Sequence, residues 1–280
     1  MSGDKYLLDV KGDCSPESSR TKEVTMPRVL NTLRRALHYR RECFDLGLQE
    51  AGFTVVDYLS DPGPEDVLVI WNRYGGYHEQ AARFERMGAL VIVVENGYLG
   101  KSWRGGEWFS IALWHHAGAG VWGNAGPHRW DSWGVDLKPW RPRSEDILIF
   151  GQRGIGEPGV RCPDGWAEYA VRRTSGRIRK HPGSFPGGLS LQEDLRSVSQ
   201  AVTWNSSAAL IALAEGVSIW CDWPSWIGYS SCSPLADFEV SEPCVDDDKR
   251  LAMFRRLAWS LWDLSEVRRG DPFVHLKGLK

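Results

Sequence analysis

An α/β protein built from two similar parallel-sheet halves is the architecture this sequence predicts, and three observations carry that expectation. Short, continuously apolar runs such as VLVIW (67–71), ALVIVV (89–94) and ILIF (147–150) alternate with stretches of helical periodicity. A strand apolar on both sides belongs in a sheet covered by helices on both faces. The rhythm breaks once, over residues 100–143, and then resumes. The chain of 280 residues accommodates two domains of about 140 residues each.

Taken in order, Tyr6–Val10 reads as a first strand ending in the polar turn Lys11-Gly12-Asp13-Cys14. From Pro27 the apolar spacing Val29, Leu30, Leu33, Leu37 predicts a long helix that Gly52 closes. Strands follow at Phe53–Tyr58 and Val67–Trp71, then a helix over His78–Met87 and a strand over Ala89–Val94. Residues 100–143 are rich in Gly, Trp, His and Pro and read as a functional loop region, ending in the linker-like KPWRPR. The second half opens with strand Ile147–Phe150 and the turn Gly151-Gln152-Arg153-Gly154-Ile155-Gly156. Helices are expected over Trp166–Arg173, Leu191–Ser197 and Ser206–Glu215, and strands over Ala201–Thr203 and Val217–Trp220. Asp246–Val267 reads as one or two amphipathic helices. The expected domains are 1–140, 146–245 and a set of closing helices, 246–280, packed across both.

Composition narrows the function classes. The formal net charge is −2, which argues against a bulk electrostatic field for nucleic acid. No run approaches the roughly 20 apolar residues of a membrane helix, and the N-terminus does not read as a signal peptide. A cytoplasmic protein without a membrane span is expected, in the host cytoplasm if the gene is a phage's. The six cysteines show no metal-finger spacing and read as reduced thiols. No metal site is expected: His115-His116 with His128 are poorly disposed to share one ion, and Asp246-Asp247-Asp248 reads as helix capping.

The chemistry-bearing residues cluster after predicted strands. Asn205, Ser206 and Ser207 open a helix, where free N–H groups and hydroxyls suit a phosphate. Arg179 and His181 end a nearby basic segment, and Gln152, Arg153 and Gly154 form a Gly-rich turn. Glu95 ends a central strand, the edge where open α/β sheets bind ligands, and suits a general base; Asp13 is the competing base.

Arg179-Lys180-His181-Pro182, followed some twenty residues later by a strand, WNSSAALIALAEGV and another strand, resembles the C-terminal donor domain of capsule-polysaccharide-type glycosyltransferases, including sialyl- and Kdo-transferase relatives. Val93-Val94-Glu95-Asn96-Gly97-Tyr98-Leu99 resembles the EDGF-L segment of the same enzymes, with Asn96 in place of the second acid. The tail RLAMFRRLAWSLWDLSEVRRG is similar to their closing helices. The resemblance implies two Rossmann-like domains of the GT-B type with a cleft between them. It implies a nucleotide-sugar co-substrate gripped through His181-Pro182 and Ser206-Ser207, no cofactor, metal-free chemistry, and an acidic residue at the acceptor cleft.

The basic stretch 28–41 and the loop 101–143 are the candidate acceptor side, through Arg34, Arg41, Trp103 and Arg104. Aromatic and basic residues together suit a carbohydrate with anionic groups, and equally suit DNA with an extruded base. The expected activity is therefore sugar transfer to a hydroxyl. The acceptor is a hydroxymethylated pyrimidine in phage DNA, or alternatively a bacterial surface glycan or glycolipid. A non-catalytic nucleotide- or sugar-binding protein of the same fold and a sugar-nucleotide epimerase are the competing classes.

Overall fold

The computed structural model describes residues 26–185 and 187–279. The expected strand Tyr6–Val10 and the candidate base Asp13 lie outside the described residues. In chain order the strands are β1 (Arg28–Asn31), β2 (Thr54–Val56), β3 (Val67–Trp71), β4 (Leu90–Asn96), β5 (Trp108–Leu113), β6 (Ile147–Phe150), β7 (Arg177–Arg179), β8 (Gln200–Thr203), β9 (Ser218–Cys221), β10 (Ser233–Pro234) and β11 (Leu261–Asp263). The helices are α1 (Arg41–Glu50), α2 (Gly76–Arg86), α3 (His128–Ser132), α4 (Trp166–Thr174), α5 (Leu191–Leu195), α6 (Ser207–Ala214), α7 (Asp247–Leu257), α8 (Leu264–Arg269) and α9 (Asp271–Lys277).

These strands make two sheets, ordered β11-β5-β4-β3-β1-β2 and β10-β9-β8-β6-β7. The second is parallel throughout. Within each sheet the chain winds the same way: β2-β1-β3-β4 in the first matches β7-β6-β8-β9 in the second. Each half therefore has a point where successive crossovers leave in opposite directions, the place where α/β sheets form ligand crevices.

Two expectations about the first sheet are corrected. It is mixed rather than parallel, because β5 runs antiparallel to β4 and β11 antiparallel to β5. β5 lies in the stretch read as loop and β11 in the tail read as helix. Both are buried, and their backbone groups are paired in a ladder, which outweighs local propensity.

The predicted helix from Pro27 to Gly52 is instead β1, a single 3₁₀ turn over Leu37–Tyr39, and α1. β1 is hydrogen-bonded on both sides, to β2 and β3, so Val29 and Leu30 reach the core from a strand. The Asn31 side chain then accepts from Leu33 N at 3.1 Å, closing a local turn. Arg40, at φ 49°, separates the 3₁₀ turn from α1. The apolar spacing of 29, 33 and 37 fitted a helical period, but a strand followed by turns serves Val29 and Leu33 equally well. The basic helical face that 28–41 was expected to form does not exist.

One apolar core joins the two sheets, running from Val29, Phe44 and Phe109 through Trp122 and Trp226 to Leu148, Leu210 and Ile219. The outer faces carry separate clusters, under α2 in the first half and under α4 in the second. The KPWRPR segment is pinned to the second half: Lys138 N donates to Ala214 O at 2.9 Å and Arg141 N to Gly216 O at 2.8 Å. The C-terminal residues touch both halves. Arg250 of α7 stacks on Trp140 at 3.9 Å and donates to Leu213 O at 3.2 Å, while β11 joins the first sheet and α8 packs on α1. No helix among the described residues is long and apolar enough to cross a membrane.

Candidate active site

A cavity of about 220 Å³ opens at the carboxyl ends of β3, β4, β6 and β8, with one wall from each sheet. On the second-sheet wall, the turns after β6 and β8 are tied together. Gln152 Nε2 donates to Asn205 Oδ1, Asn205 N donates to Gln152 Oε1 at 3.2 Å, and Asn205 Nδ2 donates to Val160 O at 2.8 Å. The buried Asn205 thus has its amide committed to the fold, so it shapes the wall and its amide is not free for a ligand.

The groups free to meet a ligand surround that framework. Arg153 lines the cavity, is exposed and makes no ion pair among the described residues. His181 accepts at Nδ1 from Gly183 N at 2.9 Å, which puts the ring proton on Nε2. Burial, reinforced by the charges of Arg153 and Arg179, lowers its pKa, so at neutral pH it is an uncharged N–H donor. Gly183 leaves room for both groups: a Cβ on it would sit 3.1 Å from Arg153 Nη1 and from His181 Nδ1. Ser206 caps α6, its hydroxyl accepting from Ala208 N at 3.3 Å, and the hydroxyl proton remains available. Ser207 is exposed at the first turn, and Gly154 completes the rim. Guanidinium, imidazole N–H, hydroxyls and a helix N-terminus together form a wall of hydrogen-bond donors of the kind that suits an anion.

Arg179 departs from its expected role. Its Nε lies 2.8 Å from Asp194 and Nη2 donates to Leu189 O at 3.2 Å, so it does not line the cavity. A buried carboxylate within reach takes the guanidinium away from the site.

The first-sheet wall centres on Glu95, the penultimate residue of β4. Its Oε1 accepts from Tyr98 Oη at 2.6 Å and from Ala117 N at 2.7 Å. Tyr98 Oη in turn accepts from Gly118 N at 3.0 Å. One carboxylate oxygen is therefore fully engaged and the other is left for the cavity. Burial raises the Glu95 pKa, and nearby Glu157 adds to the rise; His116, Tyr98 and the Ala117 amide oppose it without cancelling it. Gly97 permits this packing by close approach, since a Cβ there would lie 2.8 Å from Trp108 Cβ.

The fold has a solved counterpart. The structure of Thermosulfurimonas dismutans KpsC, beta Kdo 2,7 transferase, superposes with a TM-score of 0.51 at 12% identity, covering 91% of this chain and 100% of that one. A second, Thermosulfurimonas dismutans KpsC, beta Kdo 2,4 transferase, gives 0.48 at 15% identity over 70% of this chain and 79% of that one. The first likeness is one of fold. No family model and no curated protein matches the chain.

Tyr98 and His116 line the cavity and Glu157 stands beside it, and none of the three is among the expected catalytic, donor or acceptor residues. Tyr98 was read only as part of a motif. His116 and Glu157 lie far apart in sequence, yet His115 Nδ1 and His116 Nδ1 both meet Glu157, the latter at 3.3 Å. Arg73 Nε stands 3.9 Å from the same carboxylate. Burial would raise the Glu157 pKa, but hydrogen bonds from the two histidines bring it down to about 2. Burial would lower His116, and its Glu157 bond with the charge of Glu95 carries it the other way, above its usual value. The adjacent histidines share a carboxylate; His128 packs against Trp259 elsewhere. Among the described residues, no group of three or more His, Cys, Asp or Glu is placed to hold a metal ion.

The four expected acceptor residues do not line the cavity. Arg34 is exposed in the turn after β1. Arg41 is spent on Leu33 O at 3.1 Å and Asp45 at 3.4 Å. Trp103 packs against Trp108 and Trp133, with ring centroids 4.8 and 5.0 Å away, and Arg104 lies over Trp103 and bonds Trp133 O. Only Trp103 is held by the aromatic cluster.

Proposed function

We propose that this protein is a nucleotide-sugar-dependent glycosyltransferase of the GT-B type, with domains 1–140 and 146–245 closing on the cavity as a cleft. The observation that carries the reading is the opposition, across one cavity, of a single poised carboxylate and an anion-binding wall. In the proposed step Glu95 takes the proton of an acceptor hydroxyl as its oxygen attacks the anomeric carbon. The bond from that carbon to the phosphate oxygen breaks, and the nucleotide leaves with the electron pair. Arg153, His181 Nε2–H and the Ser206 hydroxyl stabilise the departing negative charge. The fold likeness to a Kdo transferase supports a glycan acceptor. Nothing favours DNA, since the basic helix on which that reading leaned does not form.

The test is a thermal-shift panel of UDP-, GDP-, CMP- and dTDP-sugars. A ligand at 100 times its Kd stabilises the native state by about 2.7 kcal/mol, and His181→Ala and Arg153→Ala are expected to abolish that stabilisation. If no sugar nucleotide raises Tm, or if both variants retain the full shift, the reading is wrong.

A further inference from the structure

The two walls of the cavity differ in kind. Arg153 and His181 stand on the second-sheet wall, whereas the first-sheet wall presents Trp71, Asn72, Glu95 and Asn96. Trp71 is paired with Val94 across β3 and β4, which sets Asn72 beside Glu95 one strand over. Asn72 holds a left-handed backbone, φ 56°, anchored by its N–H on Val94 O at 3.0 Å. Asparagine tolerates that conformation, and the structure uses it to present a carboxamide to the cavity. The side-chain amides of Asn72 and of exposed Asn96 have no hydrogen-bond partner among the described residues. Trp71 is half-buried, held edge-on by Tyr39 at 4.8 Å, His38 at 5.2 Å and Phe109 at 6.4 Å.

Two unspent carboxamides, each both donor and acceptor, match the vicinal hydroxyls of a pyranose. A braced indole beside them suits its C–H face. The carboxylate of Glu95 beside them repels a second anion, and among the described residues the only cationic side chain lining this wall, His116, is already held by Glu157.

From these placements we infer that the first-sheet wall is an acceptor subsite for a neutral saccharide, bound through Asn72 and Asn96 against Trp71. The inference deepens the transferase reading and rests on it for the fate of the bound hydroxyl, but the binding itself needs no donor. A uronate or a phosphorylated sugar meets Glu95 unfavourably, and so does a DNA backbone.

Saturation-transfer NMR on the full chain tests it directly, with methyl glucoside, methyl galactoside, glucuronate, galacturonate and a duplex containing hydroxymethylcytosine as probes. The neutral glycosides are expected to bind better than the uronates and the duplex. Asn72→Gly, which keeps the left-handed backbone, and Asn96→Ala are each expected to weaken them about two- to tenfold, the worth of one neutral hydrogen bond. The inference is overturned if no neutral glycoside binds, if both variants bind like the parent, or if a uronate or the duplex binds better. The thermal-shift panel separates the two readings. Neutral glycosides that bind while no sugar nucleotide does leave the subsite standing and remove the transferase. A sugar nucleotide that binds while the glycosides do not removes only the subsite.

Discussion

At the scale of single residues, the site turns on how Glu95 is held. Tyr98 and the Ala117 amide fix Oε1, so the proposed base role falls to the other oxygen. Glu95→Gln keeps the size and the hydrogen-bond reach but cannot accept a proton. Turnover is expected to fall about 10²–10⁴-fold with sugar-nucleotide affinity unchanged in the thermal-shift assay; wild-type turnover would remove Glu95 from the chemistry. The sign of the pH effect is also fixed. The Glu95 pKa is raised by burial, so the acidic limb of kcat/KM should lie above the ordinary carboxylate range. Tyr98→Phe deletes a donor that stabilises the ionised form, so that limb should move to still higher pH. A pH profile unchanged by Tyr98→Phe would show that the tyrosine serves packing alone.

At the scale of elements, α6 carries two roles that mutagenesis can separate. It is apolar on every side and sits in the core joining the sheets, so its placement is set by burial of Ala209, Leu210, Ala212 and Leu213. Its N-terminus, by contrast, faces the cavity. Ser206→Ala removes the cap and is expected to cost about 1 kcal/mol of unfolding free energy, measured by denaturant titration, in addition to weakening sugar-nucleotide binding. Ser207→Ala, at an exposed first-turn position, should weaken binding with stability unchanged. If Ser206→Ala lowers stability but leaves sugar-nucleotide binding intact, its hydroxyl acts only as a cap.

At the scale of the whole molecule, Glu157 links the halves beside the cavity, reaching from the loop after β6 to Arg73, His115 and His116 of the first half. Ile227 N also donates to Gly118 O, at 2.9 Å, across the same boundary. Glu157 is 4% exposed; Arg73 keeps its pair with Glu85, so Glu157→Gln chiefly leaves the buried His116 without its carboxylate, at an expected cost of about 3 kcal/mol. The linkage has a definite sign. The folded pKa of Glu157 is depressed to about 2, so its stabilisation is present above the ordinary glutamate pKa and is lost as pH falls through that value toward 2. His116 is raised, so its contribution is present below its ordinary pKa and fades as pH rises through the folded value. Tm measured from pH 7 down to pH 3 should drop more steeply in the parent than in Glu157→Gln; parallel curves would show that the carboxylate carries no linkage.

Continuous apolar runs fixed β3, β4 and β6 in the sequence itself, because a strand covered on both faces has no polar register to hide in the pattern. The strand ends carried Glu95, Arg153, His181 and Ser206 to one cavity, as expected when sheets of like winding open at their carboxyl ends. Only the tertiary structure decided the rest. β1 and β11 read as helix because their apolar spacing fits either period, and pairing with distant strands settles the choice. Arg179 and Arg41 read as ligand contacts because a sequence shows a charge but not the carboxylate that claims it. Glu157 reaches His115 from 42 positions away and Arg73 from farther still, and local patterning carries no record of partners so remote.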